Sequence, residues 1–268
     1  MTALGDFEKC PMLFHWRYEL GVPSRYLRAK PDLPAEIVGA DLAPPEAPPG
    51  PRTALDAATM GTIFHRCMEL MPLSEAAADQ ASLALVQQAV AEMDLLGQAG
   101  VDGLAAELSE MIGKLRSGRI WGELMQARQV RRELSFVMDY PNLTVRGQID
   151  LIYQDVAGRW HIVDYKSDRA GAEDIRQHAQ RYELQMLLYA LAAKRHLGDA
   201  PAEATLYFLR PALAHSFAIT PESLEQASRR ACGLATEVAL ARRSGQFTRR
   251  TSEFCEFCPY HSLCQRPA

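Results

Sequence analysis

Apolar and polar positions change rhythm several times along the chain, and each change predicts an element. Phe7, Leu13, Phe14, Trp16 and Leu20 fit an amphipathic helix that Gly21-Val22-Pro23 ends. Apolar residues at 60, 63, 64, 67, 68 and 71 predict a second helix over 54–71. Between 74 and 127 the same spacing recurs. Leu83, Val86, Val90, Leu95 and Leu96 fit one helix, Leu104, Leu108, Met111, Ile112 and Leu115 another, and Ile120 to Met125 a third, with Gly97, Gly100, Gly113 and Gly118 as punctuation. From residue 130 the rhythm becomes that of strands: Glu133 to Met138 first, with Pro141-Asn142 as a turn. Two further runs, one through Val145, Ile149 and Ile152 and one from Trp160 to Tyr165, flank the turn residues Asp155-Val156-Ala157-Gly158 and predict a hairpin. Leu184, Leu187, Leu188 and Leu191 predict one long helix over 173–197. Ala204–Leu209 and Ser216–Ile219 predict two strands around Pro211, and Thr220-Pro221-Glu222 caps a last helix over 221–244.

This order describes a single α/β domain over 1–268. It has an N-terminal helix in 1–29, a Pro-rich connector at 31–52, a helical region at 54–127, a sheet core at 130–219, and a terminal helix with a cysteine-rich tail at 220–268. The 268 residues are 48% hydrophobic and 23% charged, an ordinary globular balance. A net charge of −4 excludes a globally basic nucleic-acid binder and leaves DNA contact to local patches such as Arg131-Arg132 or Arg249-Arg250. No apolar run approaches the roughly 20 residues of a membrane span, and no signal-peptide pattern opens the chain. The expectation is a cytoplasmic protein with reduced thiols and no membrane partner.

Two stretches carry chemistry. In the hairpin, alternation sets Asp164 and Lys166 on one face and Val163 and Tyr165 on the other, and folding about the turn brings Asp150 opposite Asp164. Two close carboxylates repel unless a cation lies between them, and oxygen ligands of this kind suit Mg²⁺ or Mn²⁺. A neighbouring ammonium can orient water and offset charge growing on a phosphate, which together is equipment for metal-assisted phosphodiester hydrolysis. An isolated Asp-x-Lys is far more often a solvated surface pair. The second stretch is Cys255-x2-Cys258-x5-Cys264, metal-ligand spacing in a reduced compartment. Cys10, Cys67, Cys232 or His261 could complete it, and local chemistry alone makes Zn²⁺ the default over an iron–sulfur cluster.

Gly147-x-Ile149-Asp150, then Ile162-Val163-Asp164-Tyr165-Lys166-Ser167, then Tyr182-x2-Gln185-x3-Tyr189 resembles the PD-(D/E)XK nuclease superfamily, in its RecB/AddB-type exonuclease branch. The resemblance implies a restriction-endonuclease-like core sheet flanked by helices, with residues 74–127 as a helical insertion. It implies that His65, in Gly61-Thr62-x2-His65, joins Asp150, Asp164 and the Tyr165 carbonyl as metal ligands. Lys166 acts on the water, Gln185 and Tyr189 position substrate, and Glu133 and Tyr182 are auxiliary. It also replaces zinc by a 4Fe-4S cluster on Cys10, Cys255, Cys258 and Cys264, which leaves Cys67 and Cys232 spare. The implied activity is a deoxyribonuclease, an exonuclease on single-stranded or duplex DNA ends in double-strand-break processing and recombinational repair. The chain carries no Gly-x4-Gly-Lys-Ser/Thr loop, so the expectation is either a free-standing exonuclease or a nuclease module that works beside a helicase. Two other readings stay open: a CRISPR-associated four-cysteine nuclease in spacer acquisition, and a DNA-binding scaffold with a vestigial site. The intact Asp150, Asp164 and Lys166 speak against the scaffold.

Overall fold

A computed structural model describes residues 2–23, 57–93, 101–140, 143–167, 171, 173 and 175–264. The expected connector at 31–52 and the expected turn at Pro141-Asn142 lie outside these residues. The chain falls into two compact units, one built from Arg52–Tyr140 and Thr144–Cys232, the other from Thr2–Pro51 and Gly233–Ala268.

In chain order the helices and strands are α1 (Thr2–Lys9), α2 (Pro11–Phe14, running into a π-helical turn at His15–Glu19), α3 (Ala57–Leu70), α4 (Glu75–Glu92), α5 (Val101–Arg116) and α6 (Arg119–Met125). The strands β1 (Gln129–Tyr140), β2 (Leu143–Gln154) and β3 (Trp160–Lys166) follow. Then come α7 (Ile175–Gln180), α8 (Glu183–Leu197), β4 (Glu203–Phe208), β5 (Leu213–Ala218), α9 (Pro221–Ser244) and α10 (His261–Cys264). Among the described residues, no helix is long and apolar enough to cross a membrane.

The larger unit holds a five-stranded mixed sheet in the order β1-β2-β3-β4-β5. β2 and β3 are antiparallel, with Leu151 opposite Val163 and Gln154 opposite Trp160. β3 and β4 are parallel, joined through α7 and α8, and β4 and β5 are antiparallel again. Strand β3 is central and buried on both faces, which is why its sequence reads as a nearly unbroken apolar and aromatic run. Val163 and Tyr165 belong to a core with Phe64, Met68, Leu108, Ile112 and Trp121 from α3, α5 and α6. Ile162 on the other face packs with Leu206, Phe208, Met186 and Ala190. Full burial of such a side chain stabilises by about 2 kcal/mol, so a truncation in β3 weakens one core or the other. The alternation that sorts these residues also fixes the face on which Asp164 stands.

Four elements differ from expectation. The N-terminal helix is divided at Cys10 into α1 and α2, and the last strand begins at Leu213 rather than Ser216. The first strand extends beyond Glu133–Met138 to Gln129–Tyr140, and its early arginines are used rather than solvated. Arg131 lies over the Trp160 ring at 5.8 Å, and Arg132 donates to the Glu69 carbonyl at 2.8 Å. The helix expected over 173–197 is two helices. The Arg181 and Tyr182 N–H groups bond back three residues, to His178 and Ala179 carbonyls at 3.3 and 2.9 Å, and tighten the chain into a turn before α8 begins.

Candidate active site

One end of the β2–β3 hairpin gathers the chemistry. The Tyr165 N–H donates to Oδ2 of Asp150 at 2.8 Å, which fixes that carboxylate across from Asp164. Asp164 is 2% exposed. Gln185, in the first turn of α8, donates to Oδ1 of Asp164 at 3.2 Å and to the Tyr189 hydroxyl at 2.8 Å. Nζ of Lys166 stands 2.7 Å from Oδ2 of Asp164, yet off the line a hydrogen bond needs, so this buried oxygen is charge-paired without a hydrogen bond. Lys166 also lies 4.6 Å from the centre of the Tyr182 ring.

Helix α3 delivers His65. It approaches the end of β3 closely because Gly61 has no side chain; a Cβ there would meet Ser167 at 2.8 Å from Oγ and 3.2 Å from Cβ. Phe64 and His65 both pack edge-on against the Tyr165 ring, at 5.3 and 5.7 Å. Nδ1 of His65 is then 3.5 Å from Oδ2 of Asp150 and 3.9 Å from Oε1 of Glu133. Glu133 has a φ of +50°, a conformation that costs an ordinary side chain energy. The strained backbone belongs to a carboxylate in the site.

Ligand atoms of His65, Glu133 and Asp150 all lie within 4.8 Å of one another. Glu133, a bystander or a helper by sequence, is thus drawn into the tightest group, and Asp164 stands beside it in contact with Lys166 and Gln185. Among the described residues, three carboxylates therefore face the Lys166 ammonium. Burial first, and then Asp164, raise Asp150 well above the usual carboxylate range. Burial and then Asp150 push Glu133 up to about 7. An imidazole nitrogen, several carboxylate oxygens and a buried Asp164 oxygen that accepts no hydrogen bond make a donor set that fits Mg²⁺ or Mn²⁺.

Arg210 was not legible as a site residue. Its guanidinium donates to the Ser167 carbonyl at 2.6 Å, reaches the Met60 sulfur at 3.3 Å and pairs with Glu107 at 3.3 Å. It ties the residue after Lys166 to α3 and α5. No motif marks an arginine just past a strand end, so only the fold reveals it.

Within the smaller unit, Cys10, Cys255, Cys258 and Cys264 line one cavity of about 240 Å³, with Trp16, Phe254 and His261. The Arg250 N–H points at the Cys10 sulfur (3.5 Å) and the Ser252 N–H at the Cys255 sulfur (3.4 Å). Burial chiefly, and the other three thiols in addition, push the Cys258 thiol up. Cys67 lies buried in the core of the larger unit, and Cys232 does not line the cavity.

Comparison with known proteins adds the following. The family model described as the PD-(D/E)XK nuclease superfamily matches residues 1–265. A subunit of the ATP-dependent helicase/nuclease of Bacillus pumilus is 30% identical over 183 residues, covering 59% of this chain and 14% of that protein. Its namesake from Carboxydothermus hydrogenoformans is 27% identical over 172 residues, covering 58% of this chain and 14% of that one. The chain thus matches only a small part of the length of these relatives. A solved structure from Eubacterium rectale superposes with a TM-score of 0.45 at 14% identity, covering 72% of this chain and 74% of that chain.

Proposed function

The chain belongs to the PD-(D/E)XK nuclease superfamily, and from that premise we propose that it is a metal-dependent deoxyribonuclease, an exonuclease acting on single-stranded DNA ends. It would work beside a helicase in double-strand-break processing and recombinational repair in the cytoplasm. A helicase beside it is suggested by relatives named as helicase/nuclease subunits. The observation that carries the reading is the gathering of half-buried Asp150 and buried Asp164, with Glu133 and His65, beside the Lys166 ammonium.

His65, Asp150 and Asp164 would hold the ion with the Tyr165 carbonyl, and Glu133 would share His65 and Asp150 with it. A bound Mg²⁺ or Mn²⁺ polarises a phosphoryl oxygen and makes a bound water more acidic. The chain's own groups do the rest. The Tyr165 N–H and Gln185 each occupy one carboxylate oxygen, so Asp150 and Asp164 are held in fixed orientations with an oxygen left to share. Lys166 orients the attacking water and offsets negative charge as it grows on the phosphate. Gln185 and Tyr189, already bonded to each other, position the strand.

The four cysteines are proposed to hold a 4Fe-4S cluster that clasps the two ends of the chain, with a structural role. The supporting features are the cavity they share and the N–H groups aimed at two of the sulfurs. Such hydrogen bonds are among the levers by which proteins tune iron–sulfur clusters. Joining positions about 245 residues apart removes several kcal/mol of entropy from the unfolded chain, by the loop argument used for disulfides.

The test is hydrolysis of single-stranded DNA by protein purified without oxygen. Cleavage is expected with Mn²⁺ or Mg²⁺, and none from Asp164→Ala. Absence of cleavage by folded wild-type protein supplied with a helicase partner overturns the reading. Metal analysis of the same preparations tests the cluster. Iron is expected in the wild type and lost with melting stability in Cys10→Ala; zinc in place of iron refutes the cluster.

A further inference from the structure

Beside Lys166 lies a run of rings that the hydrolytic chemistry does not use. Tyr182, whose ring faces the Lys166 ammonium, has its centroid 6.0 Å from that of His178, with the planes 49° apart. His178 meets the Phe208 ring edge-on at 5.6 Å. Phe208 is the β4 neighbour of Lys166 in the sheet register. The string of rings therefore starts and ends on adjacent residues of the sheet, and the turn between α7 and α8 holds its two middle members in place. Both His178 and Tyr182 are half-buried, so each keeps an outer surface, while Arg176 and Arg181 on the same segment are exposed. Along this stretch cations and rings alternate: Arg176, His178, Arg181, Tyr182.

That alternation is the physical requirement of unpaired nucleic acid. Each base offers a π-face to an aromatic ring, and each phosphate meets a cation. A base inside a duplex is already stacked on both sides and cannot reach such rings without leaving the helix. Rings held by their neighbours lose little freedom when a base arrives. Resting on the nuclease reading above, we propose that His178 and Tyr182 form a stacking subsite for one unpaired nucleobase next to the scissile phosphate, with Arg176 and Arg181 at the flanking phosphates. The subsite sets the preference for a single strand.

The test is binding of a fluorescent oligodeoxythymidine strand and of a blunt duplex of equal length, measured in Ca²⁺, with Mn²⁺-dependent cleavage followed separately. His178→Leu and Tyr182→Leu keep apolar bulk over Phe208 but remove the stacking face. Each is expected to weaken single-strand binding about tenfold and duplex binding less than twofold. A strand with an abasic nucleotide at its terminal position, offered to the unaltered protein, is expected to lose the same factor, and the variants should lose nothing more on that strand. Equal losses on strand and duplex, or an abasic strand that binds as well as the complete one, overturn the subsite and leave the rings as packing. Unaltered protein that cleaves in Mn²⁺ but ignores the missing base refutes the subsite alone. Protein that neither binds nor cleaves refutes the nuclease reading with it.

Discussion

The hairpin of β2 and β3 carries charge at both ends, and the two ends treat it in opposite ways. At the turn, Asp155 accepts the Arg159 N–H at 2.8 Å and its guanidinium at 2.9 Å, and lies 3.0 Å from His161. His161 reaches Glu203 at 3.3 Å, Glu203 reaches Arg119 at 3.4 Å, and Arg119 pairs with Glu123 at 2.8 Å. The Tyr153 hydroxyl donates to Glu123, and its ring stacks on His161 at 5.1 Å. Every charge has a partner of the other sign. Although burial opposes it, the Arg159 N–H and His161 hold Asp155 below the usual range; His161 does the same for Glu203, and Glu203 chiefly raises His161. At the open end, Asp150 and Glu133 are raised instead, because burial and neighbouring carboxylates outweigh the Tyr165 N–H and Lys166 at Asp150 and His65 at Glu133. Charges that are fully compensated hold a fold together, while charges held in deficit are poised to bind something.

The sharpest way to break this comparison is to neutralise one acid at the open end. Asp150→Asn is expected to abolish metal-dependent hydrolysis. In metal-free buffer at pH 8 it should melt above the wild type, because it removes a half-buried carboxyl whose charged form burial and Asp164 both disfavour. A variant that keeps full activity, or that melts lower in metal-free buffer, ends the distinction. At the turn, His161→Ala should do the reverse. It strands Asp155 and Glu203 without the ring they share and should cost about 2 kcal/mol in denaturant unfolding, with the rate of DNA hydrolysis unchanged.

The two ends also differ in their answer to pH. Glu133 rises from an ordinary 4.5 to about 7, so the folded state holds its proton more tightly than the unfolded chain. The stability this contributes is complete below about pH 4.5 and is lost as pH rises through 7, and raised Asp150 acts in the same sense. Asp155 and Glu203 are lowered, so their contribution is present above their unfolded values and is lost as pH falls through the folded ones. Raised His161 stabilises below about pH 6.5 and loses that contribution above its folded value. Thermal melts from pH 5 to 8 with and without Mn²⁺ separate the ends. The gain from Mn²⁺ should grow with pH in the wild type, vanish in Asp150→Asn and persist in His161→Ala. A gain independent of pH would refute the deficit.

The open end was largely legible in the sequence and the turn end was not. Asp150, Asp164 and Lys166 declared themselves because strand alternation and one turn are local rules, and they place residues up to sixteen positions apart. The β2–β3 register, with Leu151 opposite Val163, carries Asp150 toward Asp164 as that rule requires. His161 meets Glu203 and Arg119 through a parallel crossover and a helix from far upstream, and no spacing encodes that meeting. Glu133 could not be decided by sequence, because its carboxylate reaches His65 through a left-handed backbone that only the folded strand imposes. The break before α8 was missed for a similar reason. The apolar period runs on past Arg181 and Tyr182, and only the backbone bonds to His178 and Ala179 show the turn.

Two glycines give the smallest and most selective test, because each is required for a different reason. Gly158 in the turn has a φ of +85°, and a Cβ there would meet nothing nearer than 3.5 Å, so it is needed for its backbone and not for space. Gly158→Ala should therefore cost about 1 kcal/mol of stability and leave hydrolysis unchanged. Gly61 lies within helix α3, and its added methyl would meet Ser167 at 2.8 Å, so it is needed for space. The serine hydroxyl can turn aside, but its Cβ at 3.2 Å cannot, and the helix must yield by a few tenths of an ångström. That shift carries His65 away from Glu133 and Asp150. Misplacement of an active-site group by 1 Å can cost a hundredfold, so a fraction of that distance should lower kcat about tenfold. Stability should change little, since alanine favours the helix that the methyl disturbs. If Gly61→Ala slows cleavage and leaves melting alone while Gly158→Ala does the opposite, the open end is tuned by distance and the turn end by conformation. Equal effects of the two substitutions on melting and on kcat would show one cooperative hairpin with no division of labour.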